Sequence, residues 1–495
     1  MRAKTFKGGI HPKEHKELSN KCAITPAFPV SKTVTIPVTM GGAPNTPVVK
    51  VGDVVVKGQV IATGDKFMNC PVHASVSGKV TKIQNCLVTG NSYVPCIVIQ
   101  SDDSDSQEFL PVLDPFACSK EDALARIKDA GIVGMGGASF PAHVKLNPPA
   151  DKVIDYVLVN AAECEPYLTC DERTMIETPN LLIDGLAIVL KIVNENALGI
   201  IALEDNKEYV LPILEEEIKK QNLADKISVC LVQTKYPQGS EKFIVKSCVD
   251  REIPSGKLPA DAGCVICNVG TVCAISEAFR LGKPLIERAL TISGGGVKNP
   301  CNLRVPVGTL ISDLTPAYFE INENVAAVET SSENNSESDS EGASEGASEC
   351  GAKASVNGGD CAATEVKEPV KVISGGPMMG FSMAAINFPV AKGTSGVTFL
   401  TDSETCLTEE SQCISCGYCA RACAMRLSPV LILRELKAGN TQKAIRYGLM
   451  DCIECGCCAF MCPAHVRIVQ KVRLGKAIVR TKMAEEKAKE AAKKS

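Results

Sequence analysis

Two cysteine-rich runs constrain the fold of this 495-residue chain more than any other feature. The run CISCGYCARAC spans residues 413 to 423, and CIECGCCAFMCP spans residues 452 to 463. Each carries four cysteines at the spacing C-x2-C-x2-C-x3-C, which is the ligand pattern of bacterial iron–sulfur proteins with [4Fe–4S] clusters. The chain must therefore fold so that both runs surround two clusters.

The ligand sets follow from the rule that the fourth cysteine of each run binds the other cluster. Cys457 falls outside the spacing, so we interpret it as a bystander. Two zinc knuckles sharing eight thiols are the alternative. The connectors LSPVLILRELKAG and TQKAIRYGLMD have helical periodicity, which predicts an α-helical ferredoxin domain. The predicted ligand sets are Cys413, Cys416, Cys419 and Cys462 for one cluster, and Cys452, Cys455, Cys458 and Cys423 for the other.

The amino-acid composition limits the class of protein to which this chain can belong. The chain has 25 cysteines and no apolar segment typical of an export signal near its start, which favours a reducing cytoplasm over disulfides. A net charge of −4 gives no indication of nucleic-acid binding. Without a run of about 20 apolar residues, we expect no membrane-spanning helix.

The rest of the chain predicts several domains of multidomain α/β architecture. Short β segments near the start resemble the barrel-sandwich fold of biotinyl and lipoyl carriers, and a Ser/Glu/Gly-rich acidic stretch predicts a disordered loop. The predicted parts are a β domain at 1–112, an α/β domain at 113–288, a β segment at 289–328, the acidic insert at 329–365, a return segment at 366–394, the double-cluster domain at 395–475 and a basic tail at 476–495.

A glycine-rich loop and an acidic segment are the candidate binding site. GIVGMGGASFPAHVKL, residues 131 to 146, follows a helix and is not a Rossmann fingerprint. It is either a plain loop or a phosphate cradle to which Lys145 adds charge. VLVNAAECEPYLTCDERTM, residues 157 to 175, places polar residues after an apolar strand, where α/β sheets bind ligands. A solvated acidic loop is the alternative.

These two segments together resemble the FMN- and NADH-binding region of the complex I flavoprotein subunit. With FKGGIHP, YPQGSEK, SGGGVKNPCNLRVPVGT and SGGPMMG, the chain more closely resembles the C subunit of the Rnf complex, in order and over nearly its whole length. The resemblance implies an N-terminal barrel-sandwich domain, an α/β flavin and nucleotide domain, a β-grasp domain at 289–328 and a C-terminal α-helical two-cluster ferredoxin domain.

The resemblance also implies roles for individual residues. Gly134, Gly136 and Gly137 would cradle FMN, with Lys145 near its phosphate. Asn160 would bind flavin, and Glu165 the ribose of NADH. The other implied cofactor-binding residues are Glu163, Gly239, Glu241, Asn268 and Thr271. The chain departs from the complex I pattern at Ala162, Cys164, Ser240 and Cys267, which predicts weaker flavin binding.

The implied function is electron transfer in a membrane-bound complex that couples ferredoxin and NAD to ion translocation. A hydride passes between nicotinamide C4 and flavin N5, and single electrons pass through the clusters, with no catalytic acid or base. The implied partners are NADH, integral membrane subunits and a ferredoxin-like iron–sulfur subunit, and the implied location is the cytoplasmic face of the membrane. The alternatives are a soluble cobalamin reductase and a non-enzymatic electron-transfer scaffold.

Overall fold

The computed structural model describes residues 2–321, 369–405 and 408–494. The acidic insert predicted at 329–365 lies outside them. Within these described ranges, no helix combines the length and the apolar character that are needed to cross a bilayer.

Two small antiparallel sheets form the N-terminal part. They have the strand orders β2-β8-β7-β4 and β3-β5-β6, and they share a core that includes Val34, Ile36, Ile61 and Ile97. Apolar side chains on β2, β5 and β8, such as Ile36, Ile61 and Ile97, are fully buried in this core. The first eight strands are β1 Ile24–Pro26, β2 Thr33–Pro37, β3 Thr46–Pro47, β4 Val54–Val55, β5 Val60–Thr63, β6 Val72–His73, β7 Gly78–Val88 and β8 Ser92–Ser101.

A parallel sheet with helices on both faces forms the α/β domain. Val157 and Val159 point into the larger core with helices α4 and α7, and Leu158 points into the core with helix α6. The sheet has the order β11-β10-β9-β12. The elements are α1 Lys120–Asp129, α2 Ala142–Lys145, β9 Tyr156–Ala161, α3 Cys170–Glu177, α4 Pro179–Val193, β10 Leu198–Glu204, α5 Leu211–Lys220, β11 Ile227–Val232, α6 Glu241–Val249, β12 Cys264–Asn268 and α7 Val269–Arg280.

A six-stranded mixed sheet follows, in the order β1-β14-β13-β17-β15-β16. Its later strands are β13 Glu287–Ser293, β14 Cys301–Pro306, β15 Pro369–Ser374, β16 Phe381–Met383 and β17 Gly396–Thr401. The predicted boundaries divide these strands among four segments and place β17 with the clusters. In the structure β17 pairs with β13 and β15, because all six of its residues are buried and a central strand accommodates them.

Helices build the cluster domain, as the periodicity of the two connectors predicts, and the last of them is 27 residues long. They are α8 Tyr418–Ala422, α9 Pro429–Lys437, α10 Thr441–Arg446, α11 Cys457–Phe460 and α12 Ile468–Lys494. Asn440 caps α10 by accepting the Lys443 N–H at 3.1 Å. Ile432, Leu433 and Val472 form a small apolar core against which several of the cysteines pack.

Candidate functional site

The two cysteine runs are a structural repeat with an offset of 39 residues, so that Cys413 corresponds to Cys452. The same three positions of each run have a left-handed backbone. The φ angles are 57° at Ser415 and 58° at Glu454, 77° at Gly417 and 87° at Gly456, and 57° at Arg426 and 49° at His465. The two ligand loops therefore have matching geometry, which the repeated cysteine spacing requires.

The predicted ligands of one cluster surround a single cavity. Cys423, Cys452, Cys455 and Cys458 line a space of about 460 Å³, whose other walls include Ile432, Ile468 and Val472. Burial and the neighbouring thiols raise the pKa of Cys458 to about 12, so the free thiol keeps its proton until iron displaces it. Four sulfur donors around an apolar cavity suit an iron–sulfur cluster.

The other predicted ligand set lies nearer the surface. Cys413 and Cys416 are exposed, whereas Cys419 and Cys462 pack against the apolar core of the cluster domain. Burial raises the pKa of Cys419, and its neighbours Cys413 and Cys416 add to the shift. The fourth ligand, Cys462, belongs to the second run and completes the predicted crossed arrangement.

Cys457 has a role that the spacing does not predict. Its side chain is fully buried, and its thiol donates to the Tyr236 carbonyl oxygen at 3.8 Å. It lies in an apolar cluster with Ile10, Tyr236 and Ala422. The residue therefore packs the cluster domain against the α/β domain.

The glycine-rich loop meets the carboxyl ends of two adjacent strands. Asn160 of β9 and Asn268 of β12 are register partners in the parallel sheet. Asn268 caps α7 by accepting the Gly270 N–H at 2.9 Å, and Thr271 Oγ1 accepts the Met135 N–H of the loop at 2.9 Å. This arrangement follows the rule that α/β sheets bind ligands at their carboxyl ends.

The tip of the loop forms an open cradle. Gly137 has φ 109°, and a Cβ added there would have no heavy atom within 4 Å. A Cβ on Gly136 would lie 3.5 Å from Cβ of Asn268. Lys145 Nζ donates to Glu241 Oε1 at 2.6 Å and to the Ile266 carbonyl at 2.9 Å. Exposed loop amides beside a lysine cation suit a phosphate-bearing cofactor such as FMN.

The turn YPQGSEK joins the same region. Asn160 Nδ2 donates to the Gly239 carbonyl at 2.7 Å, and the Gly239 N–H donates to Cys164 Sγ at 3.2 Å. The structure thus brings together the glycine loop, Lys145, Asn160, Gly239, Glu241, Asn268 and Thr271.

The two glutamates of the acidic segment that are predicted to bind cofactors already have backbone partners. Glu163 accepts the Asp171 N–H at 2.8 Å and the Glu172 N–H at 3.2 Å, so it caps helix α3. Glu165 accepts the N–H groups of Met378 and Met379 at 3.0 and 2.9 Å. Burial raises the pKa of Glu165 to about 7. Ligand binding at Glu165 would have to replace the two amides of the SGGPMMG loop.

Two buried basic side chains hold the site in place, and neither of them is among the residues predicted from the sequence. Lys16 Nζ donates to the Glu163 carbonyl at 2.7 Å and the Leu168 carbonyl at 2.5 Å. Arg288 donates to the Met135 carbonyl of the glycine loop at 2.9 Å. A lone arginine in the apolar strand ERALTIS is a signal that could have identified Arg288, whereas Lys16 lies in a polar segment without such a signal.

A second cavity of about 310 Å³ adjoins this site and contains a buried carboxylate. Glu204 at the end of β10 lines it together with Glu165 and Tyr236. Lys207 Nζ lies 3.3 Å from Glu204 Oε2, and the buried Glu204 Oε1 has no hydrogen-bond partner among the residues that the structure describes. Burial raises the pKa of Glu204 to about 7.

Tyr236 connects the nucleotide region to a cluster loop. Its hydroxyl donates to the Cys455 carbonyl at 2.7 Å, and its backbone pairs with Ile10 through two hydrogen bonds of 2.9 Å. Glu165 and Tyr236 line the same cavity. The predicted ribose-binding residue and a predicted cluster ligand are thus separated by one side chain.

Three family models match this architecture. Residues 4–104 match the RnfC barrel sandwich hybrid domain, residues 127–277 the Nuo51 FMN-binding domain, and residues 412–466 a 4Fe–4S dicluster domain. The fold and these matches define an iron–sulfur flavoprotein with an FMN-binding domain and two [4Fe–4S] clusters. The predicted barrel-sandwich domain, FMN and clusters are confirmed.

The chain belongs to the RnfC family, the C subunits of ion-translocating oxidoreductase complexes, as the resemblance predicted. It is 40% identical to the C subunit of the proton-translocating ferredoxin:NAD(+) oxidoreductase complex of Clostridium ljungdahlii, over 98% of this chain and 96% of that protein. It is 37% identical to the C subunit of the Na(+)-translocating complex of Acetobacterium woodii, over 95% and 96%. For the C subunit of the ion-translocating oxidoreductase complex of Rhodobacter capsulatus the identity is 35%, over 95% and 82%.

Proposed function

We propose that this chain is the peripheral NADH-handling subunit of a membrane-bound Rnf-type complex and exchanges electrons between NAD(H) and ferredoxin. Its relatives are named as subunits of ferredoxin:NAD(+) oxidoreductase complexes. The proposed partners are the integral membrane subunits and a ferredoxin-like iron–sulfur subunit, and the proposed location is the cytoplasmic face of the membrane. Ion translocation belongs to those other subunits.

One observation carries the proposal: the hydrogen bond of 2.7 Å from the Tyr236 hydroxyl to the Cys455 carbonyl. It joins the turn beside Asn160 and Gly239 to the ligand loop of a cluster without intervening solvent. Electrons that leave a flavin in the α/β domain would have a short protein path to a cluster. A binding module without electron transfer has no need of that contact.

The residues have the following proposed roles. Gly134, Gly136 and Gly137 present backbone amides to FMN, and Lys145 neutralises its phosphate. Asn160, Asn268 and Thr271 orient the flavin from the strand ends, and Glu163 holds helix α3 and the loop before it. Glu165 accepts hydrogen bonds from the ribose hydroxyls of NADH after its hydrogen bonds to the Met378 and Met379 N–H groups have broken. Gly239 and Glu241 belong to a turn that covers one side of the site. This turn excludes water from the flavin and nicotinamide rings.

Bound FMN would supply the conversion between two-electron hydride transfer and the one-electron steps that the clusters require. The eight predicted cysteines hold those clusters in the crossed arrangement. We also infer that the six-stranded sheet contains the β-grasp domain predicted at 289–328. The predicted domain boundaries stay proposals, with β17 assigned to this sheet.

The test is an anaerobic NADH titration of the purified, iron-reconstituted chain with added FMN, followed by visible absorbance and EPR. We expect bleaching of the flavin and then reduced [4Fe–4S] signals. Lys145→Met should weaken FMN binding about tenfold, or about 1.4 kcal/mol, whereas Lys152→Met at an exposed ion pair should not.

Dithionite provides the control for intact clusters. If dithionite reduces the clusters and NADH with FMN reduces nothing, the dehydrogenase function is contradicted. The chain would then be an electron-transfer scaffold, in keeping with its departures at Ala162, Ser240 and Cys267.

A further inference from the structure

The two proposed clusters have the same ligands but different surroundings. Both runs share the cysteine spacing and the left-handed positions, so the ligand loops themselves give no reason for different reduction potentials. The potential of an iron–sulfur cluster also depends on nearby hydrogen bonds, dipoles and solvent exposure. The surroundings of each run therefore decide how the two potentials differ.

The Tyr236 hydroxyl donates to the carbonyl of a predicted ligand of one of the two clusters, Cys455. The Tyr236 side chain is 1% exposed, and this hydrogen bond is 2.7 Å long. Cys416 is the corresponding ligand of the first run, and it is exposed. The aromatic residue near it, Tyr418, is 43% exposed and lies under the guanidinium of Arg421.

Several contacts fix the position of the Tyr236 side chain. Its backbone N–H and carbonyl both pair with Ile10, and its carbonyl also accepts the thiol hydrogen of Cys457 at 3.8 Å. The ring is packed among Ile10, Ala422 and Cys457. The ring therefore has a fixed position, and the Cys455 carbonyl accepts its hydroxyl hydrogen.

We propose that Tyr236 is a positioning residue that raises the reduction potential of the cluster held by Cys423, Cys452, Cys455 and Cys458. It acts through the Cys455 peptide. A hydrogen bond to this carbonyl draws electron density out of the peptide beside the ligand, which would stabilise the reduced and more negative state of the cluster. The proposal rests on the ligand sets given under the proposed function.

The experiment is an anaerobic redox titration of the full, iron-reconstituted chain with dithionite and mediators, monitored by EPR. Tyr236→Phe removes the donated hydrogen and keeps the ring. We expect one of the two potentials to become more negative, with an equilibrium constant changed about tenfold, which is about 59 mV for a one-electron couple. Tyr418→Phe is the matched control beside the other run, and it should move neither potential.

The assignment of the two signals uses Cys413→Ser, which alters a ligand of the first cluster. The proposal is overturned if Tyr236→Phe leaves both potentials unchanged, shifts both equally, or shifts the signal that Cys413→Ser alters. Loss of one cluster from Tyr236→Phe, measured as iron content, would show a purely structural role and also overturn it. Since dithionite supplies the electrons, the result does not depend on whether NADH reduces the protein.

Discussion

Cys457 and Cys458 are adjacent in the chain but have different neighbours. Cys458 lines the 460 Å³ cavity with three other predicted ligands, and the thiol of Cys457 donates to the Tyr236 carbonyl. Both cysteines belong to helix α11, where successive side chains point in different directions. The crossed ligand sets therefore predict opposite consequences for the two substitutions.

We expect Cys458→Ala to lose one cluster and Cys457→Ala to keep both. Iron analysis of the reconstituted proteins should give about four and about eight iron atoms per chain. Cys457→Ala removes a buried thiol from the domain interface, so it should lower the thermal midpoint slightly. Equal iron content in the two variants would contradict the ligand sets.

At the scale of single residues, the sequence is informative where chemistry fixes the spacing. The ligand cysteines follow from a short repeated pattern, and their neighbours on each loop follow from the same repeat. The partners of Glu165 could not be predicted, because Met378 and Met379 lie more than two hundred residues further along the chain. Only the folded sheet brings that loop to the carboxylate.

At the scale of elements, helices α4 and α7 approach each other closely at Gly185. A Cβ on Gly185 would run into the backbone carbonyl of Val272, which cannot move without shifting α7. Helix α7 begins at the Asn268 cap and carries Thr271, which binds the glycine loop. The distance between these two helices therefore sets the position of one side of the proposed flavin site.

We expect Gly185→Ala to destabilise the chain by about 1–3 kcal/mol, because the added methyl group overpacks a helix contact. It should also weaken FMN binding, measured by flavin fluorescence. Gly475→Ala in helix α12 is the control, since the three atoms nearest to its Cβ all belong to the flexible side chain of Leu436. A Gly185→Ala protein with unchanged urea midpoint and FMN affinity would contradict this account.

Elements with a strong pattern could be predicted, and those defined by distant pairing could not. The apolar run LLIDGLAIVLKIVN predicts helix α4, and VIDYVLVNA predicts strand β9, because local periodicity decides both. The predicted boundaries group strand β17 with the cluster domain because it immediately precedes the cysteines. Its partners β13 and β15 are distant in sequence, so no local pattern places it in the sheet.

At the scale of the whole molecule, one buried lysine joins three parts of the fold. Lys392, from the segment before β17, is 1% exposed. Its Nζ donates to the Pro71 carbonyl in the N-terminal domain at 2.9 Å and to the Gly131 carbonyl of the glycine loop at 2.7 Å. Burial lowers the pKa of Lys392, because removing its ammonium charge from water is unfavourable.

We expect Lys392→Met to destabilise the chain by about 2–5 kcal/mol, because two buried carbonyls lose their donor. Urea unfolding should show a lower midpoint, and FMN binding should weaken because the glycine loop loses an anchor. Lys371→Met, at an exposed position of β15, is the matched control. Equal midpoints for the two variants would show that the cation is not needed to hold the parts together.

The crossed cysteines have a consequence for how the protein is made. When the ribosome has synthesised Cys413, Cys416 and Cys419, the thiol of Cys462, which is the predicted fourth ligand of their cluster, does not yet exist. Likewise, the other predicted ligands of the cluster that includes Cys423 begin about 30 residues further along the chain, at Cys452. Neither half of the domain can bind a complete cluster by itself, so both clusters are inserted only after the last ligand has left the ribosome. A chain truncated between the runs would therefore carry no iron.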